Sequence, residues 1–187
     1  ERHTGLRGPS PFVNQTLDMD ITAIVTNTPS VSGFVALQDV NGGLYSGAIL
    51  QNSSAVQGLA LQRGDRVRIT RGTVRSIRGD LVFTAVGDVP AIATPTIVKL
   101  DAGAPVEPVV VTTGTLQDQA VAAAHMGMLI RFENVTITNN NLGFGEWAFA
   151  TEGEAAMVAD DASTDIGATF ASTTFEEGDQ LTYIQGV

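Results

Sequence analysis

Six arginines in one short stretch are the strongest candidates for chemistry in this sequence: Arg63, Arg66, Arg68, Arg71, Arg75 and Arg78. Arg66 and Arg68 alternate with Val67 and Ile69, so a strand here would point both guanidinium groups to one side. Such a face could follow the phosphates of a single-stranded nucleic acid, with Phe34 and Tyr45 as stacking groups. It could equally bind an acidic protein surface, or it could simply be solvated.

Seven acidic residues of the second half form a candidate partner surface for such a basic face: Glu152, Glu154, Asp160, Asp161, Asp165, Glu176 and Glu177. Asp160, Asp161 and Asp165 are the only calcium candidates, because Ca²⁺ prefers several carboxylate oxygens. Their spacing fits no EF-hand loop, and acidic loops are usually solvated. The sequence therefore predicts no bound metal.

Catalysis is not predicted. His3 lies near the start of the sequence and His125 at the end of a predicted helix, and neither has a partner motif nearby. The chain contains no HExxH, P-loop or GxSxG pattern. We therefore expect a non-enzymatic protein without a cofactor.

The charge is divided unequally along the chain. The net charge is −10, but residues 90–187 carry only Lys99 and Arg131 against thirteen acidic residues, whereas residues 1–89 are close to neutral. This asymmetry favours contact between unlike halves and disfavours general nucleic-acid binding by the second half. No apolar run approaches the ~20 residues that span a bilayer, so we expect no membrane insertion.

The elements that would position these residues are mostly strands. Leu17–Thr26 alternates apolar and polar residues, and Phe34–Asp39 and Leu44–Leu50 flank a hairpin turn at Asn41-Gly42. A short helix is expected within residues 52–60, and Leu81–Val86 is the predicted fifth strand. A proline-rich extended connector follows, and Thr115–Met126 has good helix propensity.

A long-period echo relates the two halves. Leu61–Gly72 matches Phe175–Gly186, including the turns Gly64-Asp65 and Gly178-Asp179, in which we expect the aspartates to cap the turn. Leu17–Thr26 matches Leu129–Thr138, and Phe34–Asp39 matches Trp147–Glu152, so that Trp147 takes the place of Phe34. The offset is about 112 to 114 residues throughout, which predicts one fold used twice.

The segments Gly33–Asp39, Arg63–Val67 with Arg71–Val74, and Gly127–Ile130 resemble the tandem OB-fold repeats of secreted and cell-surface bacterial proteins, some of which accompany extracellular nucleases. The resemblance implies an all-β chain of two OB-like, five-stranded Greek-key barrels. We expect the first barrel in residues 1–92, a connector with a short helix in 93–126, and the second barrel in 127–187.

The second copy is expected to lack its last strand, because the sequence ends just after the glycine that matches Gly72. A neighbouring subunit could supply that strand, with a donor in Phe12, Val13, Asn14, Gln15 and Thr16. Alternatively, the strand lies further along a larger protein.

These features predict an extracellular or cell-surface structural protein that forms a homo-oligomer or polymer. It would assemble head-to-tail into a filament or fibre through strand addition and through contacts between the arginine-rich and acidic halves. The alternative is a nucleic-acid-binding OB module of a larger secreted nuclease or surface protein.

Overall fold

The computed structural model describes residues 12–27, 34–51, 53–77, 89–143, 145–160 and 174–187, and the structural statements below concern these residues. The chain is mostly β. The strands form a closed five-stranded barrel followed by an open sheet, a half-barrel.

The barrel consists of the strands β1 (Thr16–Val25), β2 (Phe34–Asp39), β3 (Gly47–Gln51), β4 (Asp65–Ile77) and β5 (Val89–Ala102). Their order around the barrel is β1-β2-β3-β5-β4, and β4 closes onto β1. Neighbouring strands are antiparallel except for β3 and β5, which are parallel. Closure leaves this barrel without an unpaired strand edge.

The barrel core follows from the period-2 pattern of the strands. Val67 and Ile69 of β4 are fully buried, while Arg68 between them is exposed. The short helix α1 (Ser54–Gln57) confirms the helix expected within residues 52–60 and adds Val56 to the core. Burying side chains of this size stabilises the fold by roughly 1.5–3 kcal/mol each.

The closing strand β5 includes residues that the sequence places in the connector. Pro90 and Pro95 suggested an extended segment outside the barrel, but β5 continues to Ala102 and pairs with most of β4. Pro95 is accommodated because the β4–β5 register shifts beside it, and Thr94 has a φ of 45°. Prolines are tolerated at such irregularities. The predicted fifth strand Leu81–Val86 lies outside the described residues.

The second sheet contains β7 (Ile130–Gly143), β8 (Glu146–Thr151), β9 (Met157–Ala159) and β10 (Gln180–Gly186) in the order β10-β7-β8-β9. A two-residue strand, β6 (Val109–Val110), pairs in parallel with the start of β7. All other pairs are antiparallel.

An aromatic cluster lies in the core of this sheet. The ring centroids of Phe132 and Phe149 lie 5.0 Å apart in an edge-on arrangement, and those of Trp147 and Phe149 lie 5.5 Å apart. All three side chains are buried. Aromatic pairs of this geometry stabilise a core by about 0.5–1.5 kcal/mol beyond their buried area.

The helix expected over Thr115–Met126 is present in two pieces. A 3₁₀ turn covers Thr115–Gln117, and α2 covers Gln119–His125. The extended residue Asp118 separates them and caps α2, since its carboxylate accepts hydrogen bonds from the N–H groups of Ala120 and Val121. An N-cap of this kind stabilises a helix by about 1 kcal/mol.

The two Gly-Asp turns are the same structure built twice. The N–H of Gly64 donates to Val25 over 2.8 Å, and the N–H of Gly178 donates to Ile137 over 2.8 Å. These glycines have φ values of 92° and 94°, a conformation that favours glycine. The carboxylates of Asp65 and Asp179 each accept a hydrogen bond from the N–H three residues earlier. The expected turn-capping role of both aspartates is confirmed.

The match of Trp147 with Phe34 is wrong by one residue. Val25 pairs with Leu37, and its counterpart Ile137 pairs with Phe149, so Trp147 corresponds to Val35. A shift of one residue exchanges the faces of a strand. Trp147 therefore lies in the core of the second sheet, whereas Phe34 lies on the outer side of the barrel.

The outer side of β2 and β3 contacts the second half of the chain. The side-chain Oε1 of buried Gln38 accepts a hydrogen bond from the N–H of Leu129 over 3.0 Å. The N–H of Tyr45 donates to the carbonyl of Ala124 over 2.7 Å. Met126 and Val187 pack against the buried cluster that contains Phe34. Phe34 and Tyr45, the stacking candidates, thus belong to the joint between the halves.

Candidate functional site

The candidate site is the pair of open edges on the second sheet. In the barrel, β3 and β4 both pair with β5. In the second sheet, β9 and β10 are the two outer strands of the order β10-β7-β8-β9, and within the described residues each pairs on one side only. Among the described strands, none pairs with both β9 and β10 as β5 pairs with both β3 and β4.

The side chains of β10 are exposed where those of β4 are covered. Tyr183 occupies the position of Ile69, and Leu181 that of Val67, by the offset of the Gly-Asp turns. Ile69 has a relative exposure of 0%, whereas Tyr183 has 51% and Leu181 is half-buried. The guanidinium of Arg131 lies over the Tyr183 ring, 4.4 Å from its centroid. Tyr183 pairs with Glu133 and stacks with Arg131, so it lies on the outer face, whereas Leu181 and Ile184 pack on the core. Half-buried Leu181 is therefore the apolar side chain that an added strand would cover.

The backbone of β10 also presents hydrogen-bonding groups to this gap. The N–H of Ile137 donates to the carbonyl of Asp179, and the β7–β10 register continues without a shift. Because antiparallel pairs alternate between bonded and non-bonded, Leu181 bonds to β7, while the N–H group of Thr182 faces away from it. Towards the end of β10 the N–H of Val111 on the other side of β7 donates to the carbonyl of Arg131, so the bonded pair there is Phe132 with Ile184. Thr182 can pair with another strand.

The two turn aspartates have different surroundings. Asp65 is 4% exposed, and the ammonium of Lys99 on β5 lies 2.6 Å from its Oδ2. Burial opposes ionisation of Asp65, but the Lys99 ammonium and the Gln62 N–H outweigh it and lower the pKa of Asp65. Asp179 is exposed, and the described part of the chain places no basic side chain against it.

The predicted basic face is lined with carboxylates. Arg68 forms a two-pronged ion pair with Asp20 on β1, with contacts of 2.7 and 3.0 Å. The hydrogen bond and charge of Arg68 lower the pKa of Asp20. Arg71 lies 3.2 Å from Asp18 on the same strand. The alternation of Asp18 and Asp20 on β1 was the sequence signal for this pairing, but using it requires the β1–β4 register.

Two further arginines of this set also have polar partners. Arg66 forms an ion pair with Asp101 on β5, and Arg75 donates a hydrogen bond to the side-chain oxygen of Asn14. Arg63 is exposed in the turn before β4. Arg78 lies outside the described residues. The set therefore forms a mixed-charge surface.

The predicted acidic residues do not form one surface. Exposed Glu176 and Glu177 lie in the turn before β10, beside the open edge, while Glu152 is exposed in the turn between β8 and β9. Asp160 directly follows β9. Asp161 and Asp165 lie outside the described residues. Within the described residues, no group of three or more potential metal ligands comes together.

Glu154 has a structural role that the sequence did not suggest. Its carboxylate accepts hydrogen bonds from the hydroxyl of Thr151, from the N–H of Gly114 over 2.6 Å, and from the hydroxyl of Thr112 over 3.0 Å. The Thr151 hydroxyl, then the Gly114 N–H and the Thr112 hydroxyl, lower the pKa of Glu154. This carboxylate joins the β8–β9 turn to the segment after β6.

The predicted donor segment Phe12, Val13, Asn14, Gln15 and Thr16 lies against its own barrel. Phe12–Asn14 forms a turn, and Thr16 begins β1. The N–H of Asn14 donates to Val74 over 2.8 Å, and the N–H of Val74 donates to Gln15 over 2.9 Å. Donation of these residues to another molecule would break those bonds.

The histidines have no catalytic arrangement among the described residues. The Nδ1–H of His125 donates to the Val121 carbonyl over 2.7 Å, which places the ring at the end of α2. His3 lies outside the described residues.

Comparison of the chain with protein-family models, with curated proteins and with solved structures found no match. Within the described residues, no helix has the length and apolar character needed to cross a membrane.

Proposed function

We propose that this chain is a non-enzymatic interaction protein of the cell exterior, whose second half binds a β-strand from another polypeptide. When that polypeptide is a second copy, binding produces a head-to-tail assembly. The observation that carries this proposal is the pair of open edges on β9 and β10, whose counterparts β3 and β4 are both paired with β5.

The strand order supports an OB-type barrel as the unit of both halves. The order β1-β2-β3-β5-β4, with its parallel β3–β5 pair, is the one we expect for such a Greek-key barrel. The repeated Gly-Asp turns support the tandem relationship. The second unit then needs one strand to complete its barrel, and the incomplete burial of Leu181, in contrast with fully buried Val67, supports the same conclusion.

Strand addition has a clear energetic basis in this geometry. Unpaired edge N–H and C=O groups bind an extended segment through main-chain hydrogen bonds, and pockets for alternate side chains give selectivity. Because Phe12–Thr16 is held on the first barrel, the segment to test as the donor is residues 1–11 of a second copy. Its Arg2 and Arg7 would meet a second half rich in acidic residues.

The ion pairs of the arginine-rich face favour this proposal over the nucleic-acid alternative. The guanidinium groups of Arg66, Arg68 and Arg71 have their charge offset by Asp101, Asp20 and Asp18, and these nearby carboxylates repel phosphate. Surface pairs of this kind contribute about 0–1 kcal/mol each to stability. Their main effect here is to cancel the local positive charge.

The test is the molar mass of the purified protein as a function of concentration, measured by light scattering and complemented by negative-stain images. We expect the mass to rise with concentration. Thr182→Pro should prevent assembly, because proline removes an N–H that faces the gap and leaves the β7–β10 bonds in place. Thr182→Val is the matched control and should assemble.

Deletion of residues 1–11 should also yield monomers if this segment is the donor. Circular dichroism should show unchanged β content for both non-assembling variants. A wild-type protein that remains monodisperse and monomeric at high concentration would contradict self-assembly.

A further inference from the structure

The first half of the chain provides an internal standard for the strand that the second half binds. In the barrel, β5 runs antiparallel to β4 and parallel to β3. Its Lys99 pairs with Asp65 in the turn before β4. The corresponding turn before β10 has the same hydrogen bonds and the same glycine conformation, and it holds Asp179.

We propose that the gap between β9 and β10 selects a basic strand of a second polypeptide, which runs antiparallel to β10 and places a lysine or arginine against Asp179. This inference rests on the proposed function and specifies the chemistry of the occupant. The ion pair would fix the register, because a strand shifted by one residue would turn the cation to the opposite face.

The second half cannot supply this cation from its own basic residues. Residues 90–187 contain only Lys99 and Arg131. Lys99 is paired with Asp65, and Arg131 donates to the side chain of Gln185 over 2.8 Å while its guanidinium covers Tyr183. A cation opposite Asp179 would therefore come from outside residues 90–187.

The surroundings of Asp179 strengthen the preference for a cation. Glu176 and Glu177 are exposed in the same turn, so three carboxylates lie just before the start of β10, beside which an incoming antiparallel strand would end. An acidic strand would meet repulsion there, while a basic strand would be attracted. In the first half, Lys99 near the end of β5 reaches Asp65 in the turn before β4 from the neighbouring strand, so a long basic side chain can make such a contact.

The experiment uses the full chain and a synthetic peptide with the sequence of residues 89–102, which is the strand that fills the equivalent place in the first half. Binding of the fluorescein-labelled peptide is followed by anisotropy. A second peptide carries Lys99→Glu. The protein variant Asp179→Asn removes the charge but keeps an oxygen that accepts the Glu176 N–H bond, and Glu152→Gln removes an exposed charge from another turn.

We expect saturable binding of the lysine peptide to the wild-type protein. Lys99→Glu in the peptide or Asp179→Asn in the protein should weaken binding by about tenfold, which corresponds to about 1.4 kcal/mol. The two changes together should weaken it by less than the product of their separate effects. Glu152→Gln should bind as the wild type does.

Equal binding of the two peptides, or no saturable binding up to about 1 mM, would overturn the inference. A failure of the proposed function can be told apart from a failure of this inference. If Thr182→Pro blocks assembly while Asp179→Asn assembles normally, strand addition is supported and the preference for a basic strand is contradicted. If the wild type stays monomeric but binds the lysine peptide through Asp179, the preference for a basic strand is supported and self-assembly is contradicted.

Discussion

The ammonium of Lys99 lies 2.6 Å from Oδ2 of Asp65, and this ion pair joins the last strand of the barrel to the turn before β4. The Asp65 carboxylate is buried and also accepts the Gln62 N–H. The pair therefore connects strand closure to turn geometry in the first half. The same turn in the second half has its aspartate exposed.

Replacing Lys99 with methionine should destabilise the barrel by roughly 1–3 kcal/mol, because a buried carboxylate loses its cation. The measurement is urea unfolding at pH 7. Lys99→Arg, which keeps the charge, is the control and should lose less stability. Equal unfolding midpoints for the wild type and Lys99→Met would contradict the role of this pair.

The pKa of Asp65 also gives a direction for the pH dependence. Its pKa is lowered in the folded state, so the stability from this group is fully present above the unfolded value of about 3.9. That stability is lost as the pH falls through the folded pKa. The difference between the wild type and Lys99→Met should therefore shrink in acid.

Gly47 should be essential for the joint between the halves. A Cβ atom there would overlap the backbone of Met126, Gly127 and Met128, which cannot move away as a side chain could. Gly47→Ala should lower the free energy of unfolding by roughly 1–3 kcal/mol. Gly58→Ala is the control, since a Cβ at Gly58 meets only ordinary contacts. Equal losses for both variants would argue against a tight joint.

Glu154→Gln should weaken the attachment of the β8–β9 turn to the segment after β6. The pKa of Glu154 is lowered, so its contribution is present at neutral pH and lost as the pH falls through the folded pKa. Urea midpoints of wild type and variant should differ at pH 7 and converge in acid. Glu152→Gln should show little change at either pH. A difference that is constant with pH would rule out the carboxylate as the cause.

Single-stranded DNA should not bind measurably near physiological salt. The carboxylates paired with Arg66, Arg68 and Arg71 cancel the positive charge of the face, and the second half is strongly acidic. Fluorescence anisotropy against salt concentration is the measurement. Salt-dependent binding that is lost on Arg66→Ala with Arg68→Ala would restore the nucleic-acid alternative.

The conformation of the turns was predictable from the sequence, whereas the pairing of the strands was harder to predict. The Gly64-Asp65 and Gly178-Asp179 turns follow from residue type and were found with matching bonds. The sequence did not predict that β5 extends to Ala102, because Pro95 disfavours a strand unless a register shift accommodates it. The sequence matched Trp147 with Phe34, one residue away from its structural counterpart Val35. In an apolar run such as Phe34–Leu37, either set of alternate residues could face the core.

The candidate site follows from the sequence and the structure together. The sequence predicted a missing last strand, and the structure placed the open edges on β9 and β10. The arginine face showed the limit of composition alone, because its charge is decided by Asp18 and Asp20 on a strand distant in sequence. Pairing register, which the sequence does not give directly, determines which charges remain available.

Amide hydrogen exchange at β10 tests the central claim most directly. In the assembled protein, the N–H group of Thr182 should exchange as slowly as that of Leu181, which bonds to β7. In dilute monomer or in the assembly-deficient deletion of residues 1–11, Leu181 should remain protected and Thr182 should not. Fast exchange of Thr182 in the assembled protein would contradict strand addition at this edge.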